Sequence, residues 1–161
     1  MSAKKILFVC TGNSCRSVMA EAITRDLLRQ ASIDGVEVSS AGVFAVEGMS
    51  ATRETLRVLQ DVGVDCSAHR ARTLRAGMLE EADLIFAMER IHAEEILRLA
   101  PEARRKLHLL RPYGLAAQEA AAGAQDIPDP IGKPLEVYEV CFAEIRAAVE
   151  RVVRSLQVQN A

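Results

Sequence analysis

The sequence predicts an α/β fold, a three-layer sandwich in which a small parallel sheet of about four strands carries helices on both faces. Two observations lead to this prediction. Short apolar runs rich in branched side chains alternate with longer segments whose apolar residues recur at helical spacing. The chain of 161 residues also has the size of one domain, so we expect residues 1–161 to fold as a single unit.

The first strand and helix are the simplest elements to assign. The run KILFVC is short and apolar, and a Gly-Asn pair ends it, as is typical of a buried strand. From Ser17 onward the spacing changes to that of a helix, with apolar positions at Ala20, Ile23, Leu27 and Ala31. Residues 1–31 are therefore expected to form a strand, a loop and a helix.

The same alternation continues along the rest of the chain. VEVSSAG, ADLIFAM and the short KLHLL predict three more strands. ATRETLRVLQDVG predicts a helix with Ser50 as N-cap and Gly63 as terminator, and another helical stretch leads to Pro101. The longest helix should follow Pro134, and the Ala-rich segment before it is expected to be partly helical and then a loop. A Rossmann-like sheet of this kind binds ligands at the carboxyl ends of its strands.

Composition and charge argue against several classes of partner and cofactor. The 22 acidic and 20 basic residues give a net charge of −2, so no overall field attracts nucleic acid or an anionic membrane. The apolar run after Lys4 and Lys5 is too short for a signal peptide or a membrane span, so we expect a cytoplasmic protein. The four cysteines show no disulfide framework, and the three histidines show no zinc-ligand spacing. We expect no metal and no cofactor.

The loop VCTGNSCRS between the first strand and the first helix predicts an anion site. Backbone N–H groups of such a loop can turn inward, and the helix adds the positive end of its dipole. Arg16 offers a planar guanidinium that fits two oxygens of a phosphate-like group. These groups favour the thiolate form of Cys10, a candidate nucleophile that would attack phosphorus. Ser17 can donate a hydrogen bond to its sulfur.

Five segments of the chain resemble one known family. VCTGNSCRS is similar to the signature of the low-molecular-weight protein phosphatases. Family-like segments follow in the same order: SSAG at 39–42, SAHRAR at 67–72, ADLIFAM at 82–88 and DPIGKPLEVYE at 129–139. The resemblance covers essentially the whole chain. It implies a cysteine-dependent protein phosphatase that works through a cysteinyl-phosphate intermediate.

The resemblance implies a role for each residue of the site. Cys10 is the nucleophile, Arg16 holds the transition state, and Asp129 is a general acid that later acts as a base. The phosphate-binding loop comprises Thr11, Gly12, Asn13, Ser14, Cys15, Arg16 and Ser17. From the residues alone, Asp126 and Asp129 are equally good candidates for the acid.

The resemblance also implies supporting and redox residues. Ser40 and His69 support the loop, and Asn13 adopts a left-handed conformation there, which asparagine tolerates well. Cys15 forms a reversible disulfide with Cys10, which predicts that a dithiol reverses inactivation by peroxide. Outside the site, Cys66 and Cys141 are expected to be structural. His92 is expected on a solvated helix face.

Two substrates remain open at this stage. Phosphotyrosine is the first expectation from the family resemblance. Members acting on phosphotyrosine commonly carry aromatic residues after the Asp-Pro and a bulky residue at position 14, whereas this chain has Ile131 and Ser14. Phosphoarginine is the alternative, since the bacterial protein-arginine phosphatases share CTGN and SAGVFA, and Phe44 remains a candidate wall of the pocket.

Two further functions are less favoured. Arsenate reductases of the same fold share CTGNSCRS but need more cysteines in the segment that is AMERIHAEEIL here, which has none. A non-catalytic phosphate-binding module would be expected to lose Cys10, Arg16 or Asp129, and all three are present. The expected partners are phosphorylated protein side chains rather than nucleic acid or membrane, and the expected state is a monomer or weak dimer.

Overall fold

Four parallel strands form the central sheet of the computed structural model, which describes residues 3–159. They are β1 (Lys4–Cys10), β2 (Val36–Gly42), β3 (Leu84–Ala87) and β4 (Leu107–Leu109), and they lie in the order β2-β1-β3-β4. The chain leaves β1 toward β2 on one side and then crosses back to β3 on the other. The carboxyl end of β1 therefore lies at the switch in strand order where open α/β sheets bind ligands.

Helices cover both faces of this sheet, which confirms the predicted fold class. They are α1 (Arg16–Gln30), α2 (Arg53–Gln60), α3 (Ala76–Glu81), α4 (Arg90–Leu99), a 3-10 helix (Pro101–Lys106), α5 (Ala117–Ala122) and α6 (Leu135–Gln159). Side chains alternate along β1, so Ile6 and Phe8 join one core with α1 and α6. Leu7 and Val9 join a second core on the other face, with α3 and α4.

Several element boundaries differ from the predicted ones. Helix α2 begins after Thr52, whose hydroxyl accepts a hydrogen bond from the Thr55 N–H at 3.3 Å, so Thr52 and not Ser50 is the N-cap. The same helix ends at Gln60, and Gly63 lies in the turn beyond it with a φ of 79°. Helix α3 was not predicted, because Leu79 is its one buried residue and no periodic pattern marks it.

The second half of the chain follows the prediction more closely. Helix α6 begins at Leu135, directly after Pro134, and its buried residues recur at helical spacing up to Leu156. The Ala-rich segment contains the short helix α5 and then an extended stretch up to the Asp-Pro loop. Among residues 3–159, no helix has both the length and the apolar character needed to cross a membrane.

Candidate active site

The loop between β1 and α1 closes around a small pocket with Cys10 among its lining residues. The pocket measures about 130 Å³ and is lined by Cys10, Thr11, Gly12, Ser14, Cys15, Arg16, Asp129 and Ile131. Within the described part of the chain, the backbone N–H groups of residues 11–15 donate to no protein acceptor. These amides and the start of α1 provide hydrogen-bond donors and a positive dipole end that an anion could use.

A directed chain of hydrogen bonds reaches the sulfur of Cys10. Glu21 accepts a hydrogen bond from the Ser40 hydroxyl at 2.8 Å, so the Ser40 oxygen is free to accept one from the Asn13 amide at 2.9 Å. The same amide donates to Ser17 at 2.8 Å. Because Ser17 accepts there, its own hydrogen can point to Cys10 Sγ, 2.9 Å away. This hydrogen bond holds the sulfur of Cys10 in place beside Ser17.

Asn13 is the centre of this network and is itself firmly held. Its φ is 52°, the left-handed conformation that the family resemblance implied. Its side-chain oxygen accepts from the Arg72 N–H at 2.9 Å, and its backbone oxygen bonds to His69 Nε2 at 2.8 Å. Ser40 and His69 therefore lie where the resemblance placed them, both in contact with Asn13.

Gly42 at the end of β2 lies directly against the loop. A Cβ atom at this position would lie 2.5 Å from the Thr11 carbonyl oxygen and 2.9 Å from the Asn13 nitrogen. The backbone of the loop can pass this close only because residue 42 has no side chain. Sequence reasoning did not single out Gly42, although a glycine at the carboxyl end of a strand beside a predicted anion loop is a usable signal.

Arg16 is almost fully buried, with 1% of its side chain exposed, and both ends of its guanidinium are bound. Nη1 donates to the Ile127 carbonyl at 2.6 Å and lies 3.0 Å from Glu89 Oε2. Nη2 lies 3.5 Å from Asp129 Oδ2 and 3.4 Å from the Thr11 hydroxyl. The first set of contacts fixes the plane of the guanidinium, and the second end faces the pocket. Glu89 was not among the predicted site residues.

The two candidate acids occupy different surroundings. Asp129 lines the pocket, and its Oδ1 accepts a hydrogen bond from the Ile131 N–H at 3.1 Å. Asp126 instead forms an ion pair with Arg90, whose Nη2 lies 3.1 Å away, and this pairing lowers the pKa of Asp126. Asp129 therefore lies at the pocket, whereas Asp126 is not among the residues that line it.

His92 is fully buried beside the pocket, so the expectation of a solvated helix position was wrong. Its Nδ1 accepts a hydrogen bond from the Glu89 N–H at 3.0 Å, and its Nε2 lies 2.8 Å from the Thr11 hydroxyl. Burial, with the nearby Arg16 as the second cause, lowers the pKa of His92 to about 4. The imidazole is therefore neutral at pH 7. Glu89 and His92 both follow the carboxyl end of β3. That position could have indicated that they lie near the pocket, because such sheets bind ligands at the carboxyl ends of their strands.

The remaining cysteines differ in their surroundings. Cys15 is buried at the start of α1, and its sulfur lies 3.4 Å from the Tyr138 hydroxyl. Burial raises the pKa of Cys66 to about 11 and that of Cys141 to about 12. Both thiols are thus protonated at neutral pH, which agrees with a structural role. No group of three or more potential metal ligands occurs in residues 3–159.

The chain is similar to known proteins over nearly its whole length. Residues 5–161 match the family described as "Low molecular weight phosphotyrosine protein phosphatase". The chain belongs to this family. The protein-arginine-phosphatase of Geobacillus stearothermophilus is 38% identical over 156 residues, covering 97% of this chain and 98% of that protein. The low molecular weight protein-tyrosine-phosphatase of Streptomyces coelicolor is 36% identical over 159 residues, covering 96% and 94%.

Solved structures of low molecular weight phosphatases share the fold. An arginine phosphatase from Geobacillus stearothermophilus superposes with a TM-score of 0.85 at 36% identity, covering 97% of this chain and 94% of that one. The low molecular weight protein tyrosine phosphatase from T. tengcongensis has a TM-score of 0.85 at 36% identity, covering 95% and 99%. The predicted family, enzyme class and fold are confirmed: the protein is a hydrolase of a family in which cysteine-based catalysis is general.

Proposed function

We propose that this phosphatase removes phosphate from arginine side chains of proteins, with Cys10 as the nucleophile. The observation that carries this substrate choice is the pocket wall. Two hydroxyl residues, Thr11 and Ser14, line the pocket, and among residues 3–159 no aromatic ring lines it. The Ser14 hydroxyl can accept a hydrogen bond from an N–H group of a phosphorylated guanidine, whereas a phenyl ring favours an aromatic or apolar wall. The arginine phosphatase relatives support the same choice.

The first half of the reaction transfers the phosphoryl group to sulfur. The backbone amides of the loop and the guanidinium of Arg16 hold the phosphoryl oxygens, and Cys10 attacks phosphorus from the floor of the pocket. The S–P bond forms as the P–N bond to the arginine breaks, and Asp129 gives a proton to the departing nitrogen. Before substrate binds, the Asp129 carboxylate lies beside Arg16 Nη2. Phosphoryl oxygens that take over this contact would release Asp129 from Arg16, and the carboxylate then takes up from solvent the proton that it gives to the leaving nitrogen.

The second half hydrolyses the cysteinyl-phosphate. Asp129, now a carboxylate, takes a proton from a water molecule as that water attacks phosphorus. The S–P bond breaks, inorganic phosphate forms, and the electron pair returns to the sulfur of Cys10. Ser17 donates its hydrogen bond to this leaving thiolate, which lowers the energy of the departing group. The chemistry uses no metal at any step.

Phosphotyrosine is the second candidate substrate, and the apolar rim of the pocket favours it. Phe44 has 84% of its surface exposed, and its N–H donates to the Thr11 carbonyl at 2.8 Å, which places it beside the loop. Ile131, half exposed, lines the pocket. A phenyl ring could pack between these two side chains. The same pair could also hold the aliphatic stem of an arginine, so the rim alone does not decide between the substrates.

Two matched peptides test the substrate choice. One peptide carries phosphoarginine and the other phosphotyrosine at the same position, and kcat/KM is measured for the wild type and for Ser14→Ile. We expect the wild type to prefer phosphoarginine and Ser14→Ile to shift the preference toward phosphotyrosine. Ser14→Thr, which keeps a hydroxyl, is the control and should retain the arginine preference. A wild type that prefers phosphotyrosine, with no change in Ser14→Ile, would reject the proposal.

Two assays separate the proposed phosphatase from an arsenate reductase and from a non-catalytic phosphate-binding module. An arsenate reductase needs further reactive thiols, whereas Cys66 and Cys141 are held protonated by burial. Arsenate-dependent oxidation of thioredoxin should therefore be absent. A non-catalytic module would not hydrolyse p-nitrophenyl phosphate, whereas we expect turnover by the wild type and none by Cys10→Ser. The Cys10→Ser variant should still bind inorganic phosphate, because the loop amides are unchanged.

We also propose that the protein acts in the cytoplasm, as a monomer or weak dimer, on protein substrates rather than on nucleic acid. The net charge of −2 supports the last point, because it provides no general attraction for polyanions. Sedimentation over a range of concentrations tests the oligomeric state. A stable dimer at nanomolar concentration would contradict the expectation.

A further inference from the structure

We propose that His92 is a positioning residue that turns the hydroxyl hydrogen of Thr11 toward the phosphoryl group above Cys10, making the Thr11 side chain an additional donor to that group. The proposal rests on the phosphatase activity described above. It goes beyond the loop amides and Arg16, which were expected to bind phosphate, and it gives a role to a buried histidine that the reaction otherwise leaves unused.

The protonation of His92 follows from its two contacts. The backbone N–H of Glu89 can only donate, so Nδ1 of His92, 3.0 Å away, must be the accepting nitrogen. In a neutral imidazole the other nitrogen then carries the hydrogen. Nε2 therefore donates to the Thr11 oxygen at 2.8 Å. Complete burial of the ring keeps it neutral and keeps this direction fixed at the pH of catalysis.

The direction of these bonds leaves the Thr11 hydrogen free. The Thr11 oxygen accepts from His92 Nε2, and Arg16 Nη2 approaches the same oxygen at 3.4 Å. Both neighbours are donors, so neither can accept the hydroxyl hydrogen. Within residues 3–159, this oxygen forms no other hydrogen bond. The hydrogen must therefore point away from His92 and Arg16, and Thr11 lines the pocket.

The place of Thr11 suits a donor to the phosphoryl group. Its oxygen lies beside Nη2, the end of the Arg16 guanidinium that faces the pocket and Asp129. A phosphoryl oxygen bound to Nη2 would also be within reach of the Thr11 hydroxyl. A hydrogen bond to a charged oxygen is stronger than one between neutral groups, so a correctly turned hydroxyl stabilises the transferring group. Without His92, the same hydrogen could rotate to other directions.

Two substitutions of His92 separate positioning from packing. In His92→Asn, the side-chain oxygen replaces Nδ1 and keeps the hydrogen bond from the Glu89 N–H, but the side chain is too short to reach Thr11. In His92→Gln, the longer amide can donate to Thr11 in place of Nε2. Both variants remove the ring from the core, so thermal melting is measured for both. We expect kcat/KM for p-nitrophenyl phosphate to fall about tenfold in His92→Asn and to be largely retained in His92→Gln.

Substitution of Thr11 completes the test. Thr11→Val, which removes the hydroxyl at constant shape, should lower kcat/KM by about 10- to 100-fold and weaken inhibition by vanadate, while Thr11→Ser keeps both. Adding His92→Asn to Thr11→Val should lower kcat/KM no further, because the donor is already gone. The proposal would be overturned if His92→Asn lowered kcat/KM by the same factor in the wild type and in Thr11→Val. It would also be overturned if His92→Asn folded and kept full activity.

Failure of this inference can be told apart from failure of the phosphatase assignment. If the phosphatase assignment is wrong, the wild type shows no turnover that depends on Cys10. If only the inference is wrong, the wild type turns over p-nitrophenyl phosphate, Cys10→Ser does not, and the His92 and Thr11 substitutions act independently of one another.

Discussion

The guanidinium of Arg16 lies 3.0 Å from the carboxylate of Glu89, and the two residues follow the carboxyl ends of neighbouring strands, β1 and β3. This contact occupies Nη1, which also donates to the Ile127 carbonyl. Nη2 is thereby left facing the pocket. Glu89 thus fixes the orientation of the guanidinium from behind, while Asp129 contacts its other end, where the substrate is expected to bind.

Removing the charge of Glu89 should loosen Arg16 and slow the reaction. In Glu89→Gln a neutral amide replaces the carboxylate, and we expect kcat/KM for p-nitrophenyl phosphate to fall about tenfold, because the pair is only partly exposed to water. Glu95→Gln is the control, since Glu95 pairs with Arg98 on the exposed face of the same helix. Equal activities of the two variants would contradict the role assigned to Glu89.

A methyl group at Gly42 should displace the loop. In Gly42→Ala the new Cβ would lie 2.5 Å from the Thr11 carbonyl oxygen, closer than contacting atoms allow. We expect a loss of about 1–3 kcal/mol in the free energy of unfolding and at least a tenfold loss in kcat/KM. Gly77→Ala is the control: apart from its chain neighbours and its own helix backbone, no atom of residues 3–159 would lie within 4 Å of the new Cβ, and alanine favours the helix. If Gly42→Ala kept wild-type activity, the prediction would be wrong, because the loop would then tolerate the displacement caused by the new Cβ.

Asp129 and Asp126 should differ in their effect on leaving groups. Asp129→Ala removes the proposed proton donor, so hydrolysis should slow most for leaving groups that are strong bases and least for p-nitrophenol. Asp126→Asn breaks only the ion pair with Arg90 and should leave this dependence unchanged. The measurement is kcat for a series of aryl phosphates. Equal slowing for every leaving group in Asp129→Ala would argue against its role as the acid.

The buried His92 should make the protein less stable in mild acid. Its pKa is about 4 in the folded protein against 6.5 for an unperturbed histidine, so between these values the unfolded state binds more protons. The free energy of unfolding should therefore fall as the pH is lowered from 6.5 to 4, and His92 accounts for up to about 3 kcal/mol of this fall. Urea unfolding of the wild type and of His92→Gln at several pH values measures this fall in the free energy of unfolding. The same fall in both proteins would contradict the prediction.

The fold could be predicted from the sequence because its strands and long helices carry strong hydrophobic patterns. KILFVC lies within β1 and ADLIFAM contains β3, and the buried residues of α6 recur from Tyr138 to Leu156. The order of the strands in the sheet could not be derived, since pairing depends on packing between distant segments. Helix α3 was missed because a single buried residue, Leu79, leaves no period to detect.

The loop of the site could be predicted because its residues are contiguous. One contiguous segment contains Cys10, Asn13, Arg16 and Ser17, and these residue types already indicate its chemistry. The residues that hold this loop come from distant strand ends and are of common types. Gly42, Glu89 and His92 acquire their roles only when the sheet brings them against the loop. For His92 the error was physical: a polar residue on a helix is usually solvated, whereas this one is buried with both ring nitrogens bonded.

The central claim is that Cys10 is the reactive nucleophile of the site, and its rate of alkylation tests this most directly. Iodoacetamide reacts with thiolates, and mass spectrometry can follow Cys10 and Cys66 in the same sample. Cys66 is the internal control, because burial raises its pKa to about 11. We expect Cys10 to be modified faster than free cysteine at pH 6.5, Cys66 to be modified far more slowly, and vanadate to protect Cys10. A Cys10 that reacts no faster than free cysteine, with no protection by vanadate, would contradict the account.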